Sequence, residues 1–214
     1  MKYSKILILL PLLLLIGCET TGGIYKNLIP LPTFMKGKIE SSIYQSADKT
    51  FEINTPFKEG SPAYTYMEVK EQYYQTGAYV SFLSSVAHDE IYRVEVGKSP
   101  NAHQKRMKYN EVVDAVIKGY KKQLSAYGSQ PEEIRRLSSN VGNKTGTLIL
   151  LKQNINGKSI FQFIRLLRAD TGATGVAWVQ WPGKCTSCED LTNQDVLSEN
   201  KRVKSYIDSF NLKI

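Results

Sequence analysis

LILLKQNINGKSIFQFIRLLRADTGATGVAWVQW, residues Leu148 to Trp181, decides the fold. Leu148 to Leu151 reads as one strand and Ile160 to Leu167 as the next. Asn156-Gly157 stands between them. That pair is the strongest short hairpin signal, because a type I′ turn needs positive φ at both central residues. Ala169-Asp170-Thr171-Gly172 makes a second turn, and Val176 to Trp181 is the returning strand. Two consecutive hairpins imply an antiparallel meander.

Upstream of this meander, Val112, Val113, Val116, Ile117, Tyr120 and Leu124 recur at helical spacing. They predict a helix from about Asn110 to Tyr127, with Asn110 as N-cap and Gly128 as C′ residue. Earlier still, β-branched and aromatic residues concentrate in four runs. These are Thr50 to Asn54, Tyr64 to Lys70, Gly77 to Phe82 and Glu90 to Val96. Pro56, Gly60-Ser61-Pro62, Gly97 and Pro100 punctuate them. Downstream, Val203, Tyr206, Ile207 and Phe210 share one face of a closing helix over about Asp195 to Phe210. Strands, helix, strands, helix is the order of an α+β domain with two helices packed on an antiparallel β-sheet.

At the other end stands MKYSKILILLPLLLLIGC. Lys2 and Lys5 form a short basic start, Ile6 to Ile16 an apolar run, and Gly17 a small residue directly before Cys18. This is the layout of an export signal. A transmembrane helix needs roughly 20 apolar residues, so the run is too short to span. Its ending, Leu15-Ile16-Gly17-Cys18, resembles the lipobox of bacterial lipoproteins. The resemblance implies diacylglycerol on the Cys18 sulfur, cleavage after Gly17 and acylation of the new amine. Each buried CH₂ contributes about 0.8 kcal/mol, so two or three chains hold firmly where one holds marginally. Glu19, not Asp, follows the cysteine. In the resembling lipoproteins that favours the outer membrane, with the domain facing the periplasm.

The chain then divides into a signal peptide (1–17), a lipidated tether (18–40) and a single α+β domain (41–214). Gly22, Gly23, Pro30, Pro32 and Gly37 punctuate the tether. Removing residues 1–17 from the 214 leaves 197, enough for one domain with a core. The formal charge of +8 falls to +6 when Lys2 and Lys5 are removed. That excess suits solubility, or attraction to anionic envelope surfaces. Nucleic acid is excluded as a routine partner of an exported chain.

Of three cysteines, Cys18 is assigned to lipid, leaving Cys185 and Cys188 as a pair in an oxidising compartment. A disulfide closing a small loop is the first reading. A thioredoxin-type redox site is the second, since Cys-x-x-Cys has that spacing. Glu189 and Asp190 follow the second cysteine and would raise a thiol pKa, opposing activation. Glu189 also stands where a c-type haem needs histidine. Zinc would need two more ligands, and His88 and His103 belong to no such cluster. No metal and no cofactor is expected.

No catalytic set is legible. His88-Asp89 near Ser84-Ser85 reads as a polar turn between strands, because sequence neighbours rarely supply triad geometry. Gly-x-Ser-x-Gly is absent. Gly142 to Gly146 lacks the P-loop ending. On a strand Glu132 and Glu133 would face opposite ways. His103, Lys105, Arg106 and Lys108 form the densest basic segment, which Lys118, Lys121 and Lys122 could extend into a face. Tyr64, Tyr66, Tyr73, Tyr74, Tyr79 and Tyr92 half-bury on the sheet or line a partner groove.

The element order, central amphipathic helix and closing Ser209-Phe210 resemble PsbP-like domains over roughly residues 45–212. A helix-grip fold is the alternative. The PsbP-like group includes non-catalytic accessory subunits of envelope or thylakoid complexes. The expected function is therefore a non-enzymatic, membrane-anchored envelope lipoprotein that binds a protein partner or stabilises an assembly. Binding of a small ligand or lipid between sheet and helix is a second reading, and thiol redox through Cys185 and Cys188 a third.

Overall fold

A computed structural model describes residues 35–87, 90–182 and 201–214. The readings of Cys18, of the Cys185–Cys188 pair, of His88-Asp89 and of the start of the closing helix fall outside these residues.

The chain begins with three short strands, β1 (Lys38–Glu40), β2 (Ile43–Gln45) and β3 (Phe51–Asn54). A one-turn helix, α1 (Pro62–Thr65), leads into β4 (Met67–Tyr74), β5 (Gly77–Ser84) and β6 (Ile91–Gly97). Helices α2 (Ala102–Arg106) and α3 (Tyr109–Leu124) follow. Then come β7 (Glu132–Ser138), β8 (Thr145–Ile155), β9 (Lys158–Arg168) and β10 (Thr174–Trp181). Helix α4 (Lys201–Ser209) and β11 (Asn211–Leu212) close the chain. The class is α+β and the pairing of the strands is antiparallel.

Seven strands form one sheet in the order β4-β5-β6-β10-β9-β8-β7. The meander is its centre. Asn156 (φ 52°) and Gly157 (φ 77°) turn β8 into β9 with eleven registered pairs, from Ile155↔Lys158 to Thr145↔Arg168. A second, four-stranded sheet, β1-β2-β3-β11, was not expected from the sequence. Its strand β3 matches the run read at Thr50 to Asn54, whereas β1, β2 and β11, of two or three residues, are too short to show a period.

Period-two alternation gives the large sheet two faces. On one, Phe82, Tyr92, Val94, Phe163 and Leu167 meet α4 and the small sheet. Rings meet edge-on there: Tyr44 and Phe82 at 5.2 Å and 87°, Tyr92 and Tyr206 at 5.0 Å and 70°. Gly175 of β10 lets this layer close, since a Cβ there would stand 2.7 Å from the Phe210 ring. Arg165 also lies on this face. It donates from Nη1 to the Ile207 carbonyl at 2.9 Å and so caps the end of α4. Burial pulls the Arg165 pKa down, and Asp208 opposes this. On the opposite face α3 sets Val113, Ile117, Tyr120 and Leu124 against Ile149, Leu151, Ile164, Leu166, Val176 and Trp178.

Several boundaries differ from those read in the sequence. Tyr64 and Thr65 are helical, because Ser61 caps the Tyr64 N–H and Pro62 opens the turn. Helix α3 starts after Lys108, whose N–H donates to the Glu111 carboxylate at 2.7 Å; Asn110 is not its cap. It ends at Leu124, before Gly128, because the Gln153 amide of β8 donates to the Leu124 carbonyl at 2.6 Å. Strand β7 is an edge strand whose exposed, charged residues and bulge at Glu133/Arg135 hide its period. The basic segment at His103 to Arg106 lies on helix α2. A capping box at Asn101 and Gln104 opens it.

Candidate functional site

Helix α3 covers only half of its face of the sheet. Its apolar cluster takes residues from β8, β9 and β10 and reaches β6 only at Ile91. The half made by β4, β5 and β6 carries no helix among the described residues. Register places its side chains. Arg93 pairs with Trp178 on one side and with Ser81 on the other. Glu95 pairs with Tyr79, and Tyr79 with Gln72. All of these stand on the α3 side, since Tyr92, Val94 and Val96 alternate onto the opposite core.

Arg93 is the centre of this half-face. Its guanidinium lies 4.6 Å from the Trp178 ring and 5.9 Å from the Tyr79 ring. Both distances fall within cation–π range. Tyr120 from α3 stacks on Trp178, at 6.4 Å and 11°. Arg93 is 6% exposed and Trp178 2%. Yet the Arg93 Nε and the Trp178 Nε1 have no hydrogen-bond partner among the described residues, and neither do the Glu95 Oε1 and Gln162 Oε1. Two donors and two acceptors are therefore left open within one sheet face. Such groups are costly to bury unsatisfied, by about 1–3 kcal/mol each.

Burial lifts the Glu95 carboxyl above its usual range, and the neighbouring Arg93 and Tyr120 pull it back in part. Burial also raises the Tyr79 hydroxyl, against the pull of Arg93. At the rim Glu68, Lys70 and Gln72 of the edge strand β4 are exposed, and Tyr74 and Tyr79 are half-buried.

A second concavity lies beside the small sheet. It measures about 390 Å³ and is lined by Met35, Lys36, Gly37, Ile39, Tyr44, Val69 and Glu71. Its Tyr44 and Glu71 side chains are engaged with one another. The Gly37 N–H and the Tyr44 hydroxyl both donate to Glu71, each at 3.0 Å. Tyr73 meets Tyr44 at 2.6 Å and accepts from the Ala47 N–H at 3.0 Å. Burial and the neighbouring Tyr73 and Glu71 raise the Tyr44 hydroxyl far above its usual value. This network ties residues 35–47 to β4.

The residues singled out in the sequence are dispersed. Ser84 is buried at the end of β5 and Ser85 lies in an exposed turn. His103, Lys105, Arg106, Lys108, Lys118 and Lys122 are exposed, while Lys121 reaches Glu133 at 3.8 Å. Glu132 is exposed and Glu133 engages Arg136 at 2.7 Å. Gly142 to Lys144 form a turn closed by the Val141–Lys144 bridge. Among the tyrosines, Tyr73 and Tyr92 are core residues, Tyr66 is 62% exposed, and Tyr74 and Tyr79 border the open half-face. Among the described residues no group of three or more His, Cys, Asp or Glu could hold a metal ion. No described helix is long and apolar enough to cross a membrane.

Arg93, Glu95 and Trp178 were not singled out by sequence. The signal for two of them was present, since alternation in Ile91 to Val96 sends Arg93 and Glu95 to the face opposite three apolar residues. The juxtaposition with Trp178, 85 positions away, was not legible.

No family model matches the chain, and no curated protein matches it. Solved structures do. The Ran-binding protein Mog1p of Saccharomyces cerevisiae is similar at 12% identity and a TM-score of 0.49, over 83% of this chain and 96% of that one. Cyanobacterial PsbP (CyanoP) from Synechocystis is similar at 13% identity and 0.47, over 85% and 99%. The immunity protein TplEi of Pseudomonas aeruginosa, complexed with a peptide, is similar at 11% and 0.40, over 89% of this chain and 60% of that one. These are likenesses of architecture, and the chemistry of the open half-face belongs to this chain's own residues.

Proposed function

We propose that this protein is a lipid-anchored lipoprotein of the bacterial envelope whose α+β domain docks on another protein and catalyses no reaction. The anchor reading rests on Leu15-Ile16-Gly17-Cys18, and Glu19 after the cysteine favours the outer membrane with the domain facing the periplasm. The docking reading rests on one observation, the open half of the large sheet. Along β4 and β5 it presents exposed Glu68, Lys70 and Gln72 beside half-buried Tyr74 and Tyr79, while its Arg93 and Trp178 are buried. Tyrosine is among the residue types that dominate binding energy at protein interfaces. The network of Tyr44, Glu71 and Tyr73 has its hydrogen bonds made internally and does not favour a ligand-binding role for that recess.

The test is intact-mass analysis of the mature protein beside Cys18→Ala, followed by cross-linking in intact cells. A lipid-sized increment lost in the variant, together with a reproducible cross-linked protein, supports both parts. An unlipidated product removes the anchor. Absence of any reproducible adduct from correctly lipidated protein removes the docking role.

A further inference from the structure

We propose that the end of the domain carrying α2 lies on anionic lipid headgroups of the membrane to which the chain is tethered. The inference rests on the anchor reading above and says which face the anchored domain turns to the bilayer. Lys105, Arg106 and Lys108 are exposed on α2 and at its exit. None of their side chains pairs with a carboxylate among the described residues. Elsewhere Lys38, Lys70, Lys98, Lys121, Arg136 and Lys213 each do. The carboxylates at this end are engaged: Asp48 with Lys98, Glu111 with the Lys108 N–H, and Asp170 with Asn143. The end is left positive.

Helix α2 buries none of its own residues, yet both its ends are fixed. The Asn101 and Gln104 capping box opens it. Arg168 of β9 donates to the Gln104 and Met107 carbonyls, each at 2.8 Å, and holds its C-terminal end. A helix of five residues does not persist alone, so these contacts keep its cations in one place. The tether enters at the same end. Lys38, at the start of β1, pairs with Gln45. Strand β2 then runs into the turn where Asp48 meets Lys98 at 2.6 Å, three residues before the α2 cap Asn101. Lys49 in that turn adds an exposed cation. Residues 18–34 separate the lipid site from the first described residue, a reach of at most about 60 Å. The tether therefore brings the bilayer, and no other anion, close to this end. A lipid anchor joined to a basic patch is a sufficient pair of signals, since the anchor supplies the local concentration. The cations are exposed and make a charged surface in place of an enclosed anion pocket, which suits an array of headgroups.

The experiment uses the mature chain carrying Cys18→Ala, so that no lipid contributes. It is sedimented with vesicles of equimolar phosphatidylcholine and phosphatidylglycerol, or of phosphatidylcholine alone. Binding is expected with the anionic vesicles only and should fall as salt rises. Lys105→Gln with Arg106→Gln removes two charges while keeping good helix formers. It should weaken binding by roughly tenfold or more. Lys122→Gln with Lys158→Gln removes two exposed cations at the opposite end of the sheet, by the end of α3 and the β8–β9 turn. That pair should change binding less than about twofold. Both double variants should keep the wild-type amide spectrum. In the lipidated protein on nanodiscs, a gadolinium-bearing headgroup should broaden the amide signals of α2 before those of the β8–β9 turn.

Equal binding to phosphatidylcholine alone, or binding to neither vesicle, overturns the inference. So does an equal loss with the Lys122 and Lys158 double variant, which would make net charge the cause. Release by inorganic phosphate at constant ionic strength assigns the cations to a small anion. Binding to polyglutamate as tight as to the vesicles assigns them to an acidic protein. Either result removes the membrane as the occupant. The anchor is read separately, from the mass of the mature wild type. Lipid on Cys18 without vesicle binding keeps the anchor and removes this orientation. An unlipidated product with binding that depends on Lys105 and Arg106 keeps the basic face and removes the anchor.

Discussion

Arg93 and Trp178 are direct cross-strand neighbours on β6 and β10, with the guanidinium 4.6 Å from the indole ring. The two residues contribute unequally to stability. Trp178 is 2% exposed and packs on Tyr120 and the strands beneath α3, so Trp178→Ala is expected to cost about 3–5 kcal/mol. Arg93→Met is expected to cost less, about 1–3 kcal/mol, because methionine fills the space over the ring but leaves the buried Glu95 without the neighbouring guanidinium. Urea denaturation of the two variants checks this. A loss for Arg93→Met as large as that for Trp178→Ala would make the guanidinium as important to this layer as the ring.

The β8–β9 turn depends on positive φ at Asn156 and Gly157. Gly157→Ala places a Cβ at φ 77° and is expected to cost about 1–2 kcal/mol. Asn156→Gly should stay within about 0.5 kcal/mol of wild type, because glycine accepts the same conformation. Parallel denaturation curves with unchanged slope would confirm that only stability moved.

Arg165 donates to the Ile207 carbonyl and stands 3.6 Å from Asp208. Arg165→Met removes the cap and is expected to cost about 1–3 kcal/mol through the unsatisfied carbonyl, with amide exchange accelerated in α4 first. Asp208→Asn, at an exposed position, should cost under about 1 kcal/mol. The reverse order would contradict a capping role for Arg165.

Glu95 introduces a pH dependence. Burial raises its carboxyl above the ordinary 4.5, with Arg93 and Tyr120 opposing. A carboxyl raised in the native state stabilises fully below its unfolded value, and that contribution is lost as pH rises through the native one. Glu95→Gln is therefore expected to be more stable than wild type at pH 7, with the difference closing as pH falls toward 4. Thermal unfolding across this range reads it. A difference independent of pH would show that Glu95 does not titrate differently on folding.

Thiol chemistry separates the two readings of Cys185 and Cys188. A disulfide loop predicts no alkylation of either cysteine in mature protein without reductant, and a mass gain of two adducts after reduction. Free, rapidly alkylated thiols would move the redox reading forward.

The local elements were legible in the sequence where a period or a turn had room to show itself. Asn156-Gly157 and the alternation on either side of it predicted the meander, and the stripe from Val113 to Leu124 predicted α3. Charged, bulged β7 and the two- and three-residue strands β1, β2 and β11 carry no such period. Helix ends were misread because they are set from outside the helix. Gln153, on another element, stops α3 at Leu124.

By itself the sequence determined the α+β class, the meander and which face of each long element is apolar. These depend on composition and on residues within a few positions of one another. Only the tertiary structure decided that α3 covers half a sheet face, that β10 inserts beside β6, and that Arg93 thereby meets Trp178. Strand order is set by how two apolar faces share one core, a long-range balance that no local pattern records.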